Sequence, residues 1–192
     1  KLTGYAYLLE EDKTGGAEIN TFGIRYAGAT KLSGNKVIYS AEFAQQENDT
    51  ADKSASYFAV EAGTNLSSVN VKVGYELLGS DNGEYGFATP LATLHKFNGW
   101  ADQFLGTPVQ GLQDIYVSVG GKLAGGSWKV IAHDFSADEA SNGIDDLGSE
   151  IDAVYTKAIN KHFKAGIKYA AYSSGDTNVD ADQVWVWLEA TF

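Results

Sequence analysis

The side chains that could perform catalysis or bind a metal ion are few and scattered along this chain. The sequence has no cysteine, which removes thiol chemistry, disulfides and cysteine-based metal sites. Its three histidines, His95, His133 and His162, are spaced too irregularly to predict a zinc site, which needs three or four converging ligands. The many serines lack a Gly-x-Ser-x-Gly motif and a paired histidine and aspartate. We therefore predict no catalytic residues, no cofactor and no enzymatic activity.

Acidic residues are concentrated in segments that contain few apolar residues. Asp81-Asn-Gly-Glu84 resembles part of a calcium loop, but its spacing departs from the twelve-residue pattern. Further acidic groups lie at 10–12, 47–49, 138–139 and 145–146. Solvation, or divalent ions that bridge these groups to lipopolysaccharide, explains them without a specific metal site, and none is predicted. The net charge of −11 argues against nucleic acid as a partner.

The elements that would position all these side chains are about ten strands with alternating apolar and polar residues. In segment 69–78, for example, the odd-numbered residues are apolar, whereas the even-numbered ones include Lys72 and Glu76. Such a period of two places one set of residues on each face of a sheet. The predicted strands are Leu2–Glu10, Ile19–Leu32, Lys36–Gln46, Ala55–Thr64, Val69–Leu78, Asp114–Leu123, Trp128–Phe135, Ser149–Ala158, Phe163–Ser173 and Gln183–Phe192.

A soluble β-sandwich and an outer-membrane β-barrel both produce this alternation. The connections distinguish them, because long acidic loops alternate with tight turns near residues 33–35, 65–68, 124–126 and 160–161. No apolar run approaches the roughly 18 residues of a membrane helix, and no signal peptide is recognised. The pattern predicts an all-β, antiparallel up-and-down transmembrane β-barrel in the outer membrane of a Gram-negative bacterium, in contact with lipid and lipopolysaccharide.

Two stretches of sequence carry a resemblance to known proteins. The last segment, Val-Trp-Val-Trp-Leu-Glu-Ala-Thr-Phe at 184–192, resembles the C-terminal assembly signal of bacterial outer-membrane proteins. Ala-Thr-Pro-Leu-Ala-Thr-Leu-His-Lys-Phe-Asn-Gly-Trp-Ala-Asp-Gln-Phe at 88–104, with 74–80 before it and 111–116 after it, resembles the C-terminal half of proteobacterial porin-like proteins of the alginate-export family. The resemblance implies export of a polyanionic polysaccharide. Residues 1–192 are expected to be one barrel domain, or the C-terminal part of a larger one.

The polar face of the strands is expected to line the lumen. Its charged residues are Arg25, Glu42, Glu61, Lys72, Glu76, Lys122, Lys129, Glu150, Asp152, Lys164, Lys168 and Glu189. A conduit for polyanions requires a strongly basic lining. Six charges of each sign instead predict a passive channel for small hydrophilic solutes. Polysaccharide export and a structural barrel without a pore remain the alternatives.

The connection 79–112 is far longer than the others. It carries many apolar residues, namely Phe87, Leu91, Leu94, Phe97, Trp100, Phe104 and Leu105. Segment 98–105 is expected to form a short helix capped by Asn98. Loops of this length are usually functional or disordered, and its apolar side chains need cover. We expect the loop to fold into the lumen as a constriction formed by Phe97, Trp100 and Phe104. An external cap on the barrel rim is the alternative.

Four aromatic residues on the polar face are expected near the outer mouth: Tyr57, Tyr116, Tyr172 and Trp185. Tyr172 and Trp185 are expected to be cross-strand neighbours. These aromatic faces could guide an oligosaccharide, or they could simply pack against the long loop.

Overall fold

The structure is a computed structural model that describes residues 1–13, 16–92, 95 and 97–192. Ten strands form one antiparallel sheet, in which each strand pairs with its neighbours in sequence, and two short strands form a separate hairpin. The all-β, up-and-down prediction is confirmed. The strands are β1 (Leu2–Glu10), β2 (Glu18–Leu32), β3 (Asn35–Asn48), β4 (Lys53–Leu66), β5 (Val69–Leu78), β6 (Ser80–Asp81), β7 (Tyr85–Gly86), β8 (Leu112–Leu123), β9 (Gly126–Ser141), β10 (Ile144–Ala158), β11 (Phe163–Ser173) and β12 (Ala181–Ala190).

The tight turns on one side of the sheet follow from residues that accept a positive φ. β2 and β3 are joined by Ser33 and Gly34, with φ of 49° and 85°, and β8 and β9 by Ala124 and Gly125, with φ of 49° and 79°. Positive φ at both central residues is the type I′ geometry, whose twist matches that of the flanking strands. These turns hold consecutive strands in register without a long connection.

The expected long loop between β9 and β10 is wrong. The two strands continue well past the predicted ends and are joined by Asn142 and Gly143, with φ of 53° and 79°. Asn-Gly is the preferred pair for a type I′ hairpin turn, and the acidic residues around it, which are also typical of loops, led to the expectation of a long connection. The expected long loop between β3 and β4 is also shorter, because only residues 49–52 separate the two strands. The longer connections on this side of the sheet are 11–17, 79–111 and 174–180.

The lengthened hairpin contains an irregularity at the start of β10. The register between β9 and β10 shifts between Ile144 and Asp146, and again between Asp146 and Gly148. Gly148 has φ of 92°, and a Cβ atom there would lie 2.2 Å from the carbonyl oxygen of Ser173. A glycine is therefore required where this bulge meets β11, since it alone accepts both the backbone angle and the close approach.

The sheet has one polar and one apolar face. The face against which the connection 79–111 packs is called the inner face. The other, outer face carries exposed apolar side chains from every strand of the main sheet. They include Leu8, Phe22, Ile24, Phe43, Phe58, Val73, Val117, Val130, Ile151, Ile167, Val186 and Leu188. A continuous apolar surface of this kind suits lipid and not water.

The buried core lies between the inner face and the long connection. From the wall it takes Leu78, Leu112 and Phe135, and from the connection it takes Phe87 and Phe104, all of them buried. The barrel wall therefore covers Phe87 and Phe104, which fasten the connection to the inner face, whereas Leu91, Phe97, Leu105 and Val109 stay exposed.

Strand pairing runs from β1 to β12, and within the described residues no pairing joins these two strands. The sheet is thus an open barrel wall of ten strands. No helix in the described part of the chain is long and apolar enough to span a membrane.

Candidate functional site

A cavity of about 1000 Å³ lies between the inner face and the long connection. Strands β1 to β5, β8 and β9 form its wall, and residues 87–92 and 97–100 with Phe104 form its roof. Its lining mixes charged side chains with aromatic rings. The inner face is therefore the candidate site.

Strand register puts all twelve expected lumen charges on the inner face. Arg25 is opposite Glu42, which is opposite Ala59, which is in turn opposite Glu76. Directly opposed residues share a face, and so do residues two apart along a strand. The same relationship connects the remaining members of the set: Glu61, Lys72, Lys122, Lys129, Glu150, Asp152, Lys164, Lys168 and Glu189.

Several of these charges form cross-strand ion pairs. Arg25 Nε lies 3.1 Å from Glu42 Oε2, and Lys72 Nζ lies 2.8 Å from Glu61 Oε2. Near the tight-turn end, Lys164 Nζ and Glu189 Oε2 are 3.6 Å apart, and Lys122 donates a hydrogen bond to Ser127 at 2.7 Å. The carboxylates thus compensate the charges of Arg25, Lys72 and Lys164, whereas Ser127 gives Lys122 a hydrogen-bond acceptor that carries no charge.

The predicted helix capped by Asn98 is wrong. Residues 98–105 form bends and turns without helical hydrogen bonding, and Asn98 itself has φ of 53°. Its side chain instead hydrogen-bonds to residues of the barrel wall. Asn98 Nδ2 donates to Glu76 Oε2 at 2.8 Å and is 3.3 Å from Asp114 Oδ2. A helix cap would use the Asn98 side-chain oxygen as an acceptor, whereas here the side-chain nitrogen donates to carboxylates of the wall.

Glu150 holds the tip of the long connection. Its Oε1 accepts hydrogen bonds from the backbone N–H groups of Trp100 at 2.5 Å and Ala101 at 2.8 Å. Gly99 lies against the same carboxylate, and a Cβ atom there would be 2.4 Å from Oε2. Gln183 adds a third contact by donating to the Ala101 carbonyl at 2.8 Å.

The aromatic residues of the connection occupy different environments. Two cations lie close to Trp100, with Lys129 Nζ 5.3 Å and Lys168 Nζ 5.2 Å from its ring centroid. Phe104 is buried, with its ring 4.7 Å from that of Phe135. Phe97 is 44% exposed and lines the cavity. Leu94 lies outside the described residues.

The four expected lumen aromatics separate into two pairs. Tyr57 and Tyr116 line the cavity. Tyr172 is buried and donates a hydrogen bond to the Leu147 carbonyl at 2.5 Å, and Trp185 lies beneath Lys168, whose Nζ is 4.0 Å from its ring centroid. Tyr172 and Trp185 are not cross-strand neighbours, because Tyr172 is opposite Ala181 and Trp185 is opposite Lys168. The expected pairing of Tyr172 with Trp185 is therefore wrong by a shift of four residues between β11 and β12.

Gln46 and Asp114 are two inner-face residues that were absent from the expected set. Gln46 is buried and bonds to Tyr85, Ala88 and Thr21. Asp114 is also buried and accepts a hydrogen bond from His133 Nδ1 at 2.9 Å. The period of two already contained this information, since Gln46 follows Glu42 by four residues and Asp114 precedes Tyr116 by two.

The histidines do not form a metal site. His95 contacts Asp102 through Nδ1 at 2.6 Å and Lys168 through Nε2, and His162 contacts the Thr191 carbonyl at 3.0 Å. Among the residues that the structure describes, no group of three or more histidine, aspartate or glutamate side chains is placed to hold a metal ion.

One carboxylate in the outer loops has a clear electrostatic role. Asp176, in the loop between β11 and β12, accepts hydrogen bonds from the backbone N–H groups of Asp145 and Asp146 at 3.0 and 2.9 Å. These bonds favour the ionised form and hold the pKa of the Asp176 carboxyl below its usual value. The interaction fastens the loop to the bulged start of β10.

No protein-family model matches the chain, and no curated protein matches it. Solved structures with a similar fold were found. The crystal structure of Pseudomonas aeruginosa OccK9 (OpdG) is similar with a TM-score of 0.63 and 11% identity, over 99% of this chain and 54% of that one. The structure of Pseudomonas aeruginosa OccK3 (OpdO) is similar with a TM-score of 0.58 and 15% identity, over 92% and 50%. The chain therefore spans about half the length of these structures.

This likeness gives the chain the fold of an outer-membrane porin. The expected location in the bacterial outer membrane agrees with the location of these channels. The alginate-export family is not supported, because the similar structures are OccK channels and no family model connects the chain to alginate export. At such low identity the likeness extends to the fold alone.

Proposed function

We propose that the chain forms part of the wall of an outer-membrane channel through which small hydrophilic solutes diffuse passively. The observation that carries the proposal is the contrast between the two faces of one sheet. The outer face is apolar and exposed, whereas the inner face bounds a cavity of about 1000 Å³ with charged and hydroxyl-bearing side chains. A water-filled lumen inside a lipid-facing wall requires this arrangement.

The paired lining favours weak ion selectivity. Arg25 and Lys72 are neutralised by Glu42 and Glu61, so a passing anion finds little uncompensated positive charge at these positions. The acidic outer loops then bias conduction modestly toward cations. We expect the outer face to contact lipid and the outer loops to contact lipopolysaccharide.

The two alternatives have less support. An exporter of a polyanion needs a basic lumen, whereas six of the twelve expected lumen charges are acidic and the comparisons do not support the alginate-export family. A scaffold barrel filled by side chains would leave no cavity of this size between the wall and the connection. The structural neighbours are channels rather than enzymes, and no bond chemistry is proposed.

The long connection is proposed to set the width of the lumen. The two residues that flank segment 88–106 of this connection are held together, since Thr107 Oγ1 donates a hydrogen bond to the Phe87 carbonyl at 2.7 Å. A short Gly-Ser linker can therefore replace residues 88–106 in the full-length protein without straining the strands. Single-channel recordings in planar bilayers should show conductance for the parent protein and a larger conductance for the variant.

The control places the same linker at 175–179, an outer loop whose residues are not among those that line the cavity. Its conductance should equal that of the parent. A parent protein that conducts no ions would overturn the channel. Equal conductance of parent and 88–106 variant would retain the channel and move the connection out of its conduction path.

A further inference from the structure

Three tyrosines on the wall of the cavity are bonded to three glutamates. Tyr5 donates to Glu42 at 2.7 Å, Tyr57 to Glu76 at 2.6 Å, and Tyr116 to Glu61 at 2.8 Å. The three pairs connect β1 with β3, β4 with β5, and β8 with β4. All six side chains line the cavity. The hydroxyl groups are thus fixed at the wall, which fixes the orientation of the rings.

Two of these rings lie flat on the backbone. A Cβ atom at Gly23 would lie 2.2 Å from Cζ of Tyr5, and one at Gly74 would lie 2.2 Å from Cζ of Tyr116. Each tyrosine therefore rests on the glycine opposite it in the neighbouring strand, an arrangement that recurs where an aromatic residue covers a glycine. With one ring face against the wall and the residue lining the cavity, the opposite ring face is turned toward the cavity.

The charges around the rings argue against a charged ligand. Glu42 is paired with Arg25 and Glu61 with Lys72, at 3.1 and 2.8 Å. An anion that bound at Arg25 or Lys72, or a cation that bound at Glu42 or Glu61, would have to displace the partner in one of these pairs. A neutral ligand with several hydroxyl groups breaks none. It can donate to the carboxylates in the same way as the tyrosine hydroxyls already do.

Given the channel function proposed above, we propose that this cavity is a binding site for neutral sugars. The C–H face of a pyranose ring packs on the cavity-facing ring faces of Tyr5 and Tyr116. The π-electrons give each ring face a partial negative charge, which attracts polarised C–H groups. Its hydroxyl groups hydrogen-bond to Glu42, Glu61 and Glu76. A cavity of about 1000 Å³ is at the upper end of typical small-molecule sites and accommodates a short oligosaccharide.

The test is sugar block of single-channel current through the full-length protein, with maltose as the probe. Maltose should produce brief, concentration-dependent interruptions. Tyr5→Leu and Tyr116→Leu should each raise the half-blocking concentration about tenfold, since each removes one ring face. Tyr5→Phe keeps the ring and should change it by less than about threefold. Tyr169→Leu, on the outer face, should leave block unchanged.

Two comparison solutes decide the chemistry. Sorbitol has hydroxyl groups but no ring, and gluconate is an open-chain anion. Maltose block that exceeds both, and that the Leu variants remove, supports the site. Equal block by sorbitol, stronger block by gluconate, or maltose block that survives both Leu variants overturns it. A protein that conducts ions without maltose block also overturns the site and leaves the channel intact, whereas a protein that conducts no ions overturns the channel itself.

Discussion

The carboxylate of Glu150 accepts the backbone N–H of Trp100 at 2.5 Å, although 50 residues separate the two along the chain. The contact fastens the long connection to β10, and it is buried, since Glu150 is 1% exposed. Glu150→Ala removes the acceptor for two N–H groups. Each hydrogen bond to a charged group contributes on the order of 2 kcal/mol, so the segment 97–104 should detach locally.

Amide hydrogen exchange measures this detachment. In Glu150→Ala, exchange at Trp100 and Ala101 should accelerate by at least about tenfold, which corresponds to about 1.4 kcal/mol. Glu189→Ala is the matched control, because Glu189 is an exposed glutamate of the same inner face. Unchanged protection at Trp100 and Ala101 would show that apolar packing alone holds the connection.

The covered glycines predict a steric effect on stability. A Cβ atom at Gly74 would lie 2.2 Å from Cζ of Tyr116, so Gly74→Ala must displace the ring and disturb its bond to Glu61. Overpacking of this kind costs about 1–3 kcal/mol. Urea unfolding of the refolded protein in lipid vesicles measures the loss.

Gly106→Ala is the control for Gly74→Ala, because nothing lies within 4 Å of a Cβ atom at that position. Its free energy of unfolding should stay within about 0.5 kcal/mol of the parent. Equal stability of the two variants would mean that Tyr116 does not rest on Gly74.

An introduced arginine should lower the free energy of unfolding much more on the outer face of the sheet than on the inner face. Val73 is 49% exposed on the outer face, and arginine there must enter lipid at a cost of about 2–4 kcal/mol near mid-membrane. Ala59 is on the inner face between Glu42 and Glu76. Ala59→Arg should therefore be nearly neutral. Urea unfolding in lipid vesicles compares Val73→Arg with Ala59→Arg. A larger loss of unfolding free energy for Ala59→Arg than for Val73→Arg would reverse the assignment of the faces.

Low pH should release the loop between β11 and β12. The pKa of Asp176 is depressed by hydrogen bonds from the Asp145 and Asp146 backbone. The group therefore contributes its full stabilisation above the ordinary aspartate pKa of about 3.9, and this is lost as the pH falls through the lower folded pKa. The amide shifts of Asp145 and Asp146 should follow that titration by NMR. Asp176→Asn should remove the step of these amide titrations that coincides with the titration of the Asp176 carboxyl carbon in the parent, and a step that persists at the same pH in the variant would contradict the assignment.

The alternation of apolar and polar residues along the sequence predicted most of the strands and the face of the sheet on which each residue lies. It placed Arg25, Glu42 and Glu76 on one face because alternation is a local property of a strand. It failed where tertiary contacts decide. The hairpin at Asn142 was not predicted, because the acidic residues around it are also typical of loops. The hydrogen-bond partners of Asn98 were not predicted, because they belong to β5 and β8, outside the long connection. Register could not be read from alternation either, since a shift by four residues keeps every side chain on the same face, as Tyr172 and Trp185 show.

Thiol accessibility tests the central claim most directly, because residues 1–192 contain no cysteine and a single thiol can be placed on either face once any cysteine elsewhere in the full-length protein is replaced by serine. Ser118 is on the inner face and lines the cavity, and Val117, its neighbour, is 43% exposed on the outer face. In the full-length protein in bilayers, a water-soluble methanethiosulfonate should react with Ser118→Cys and reduce its single-channel conductance, and it should leave Val117→Cys unmodified. Reaction at Val117→Cys with none at Ser118→Cys would contradict a water-filled lumen on the inner face.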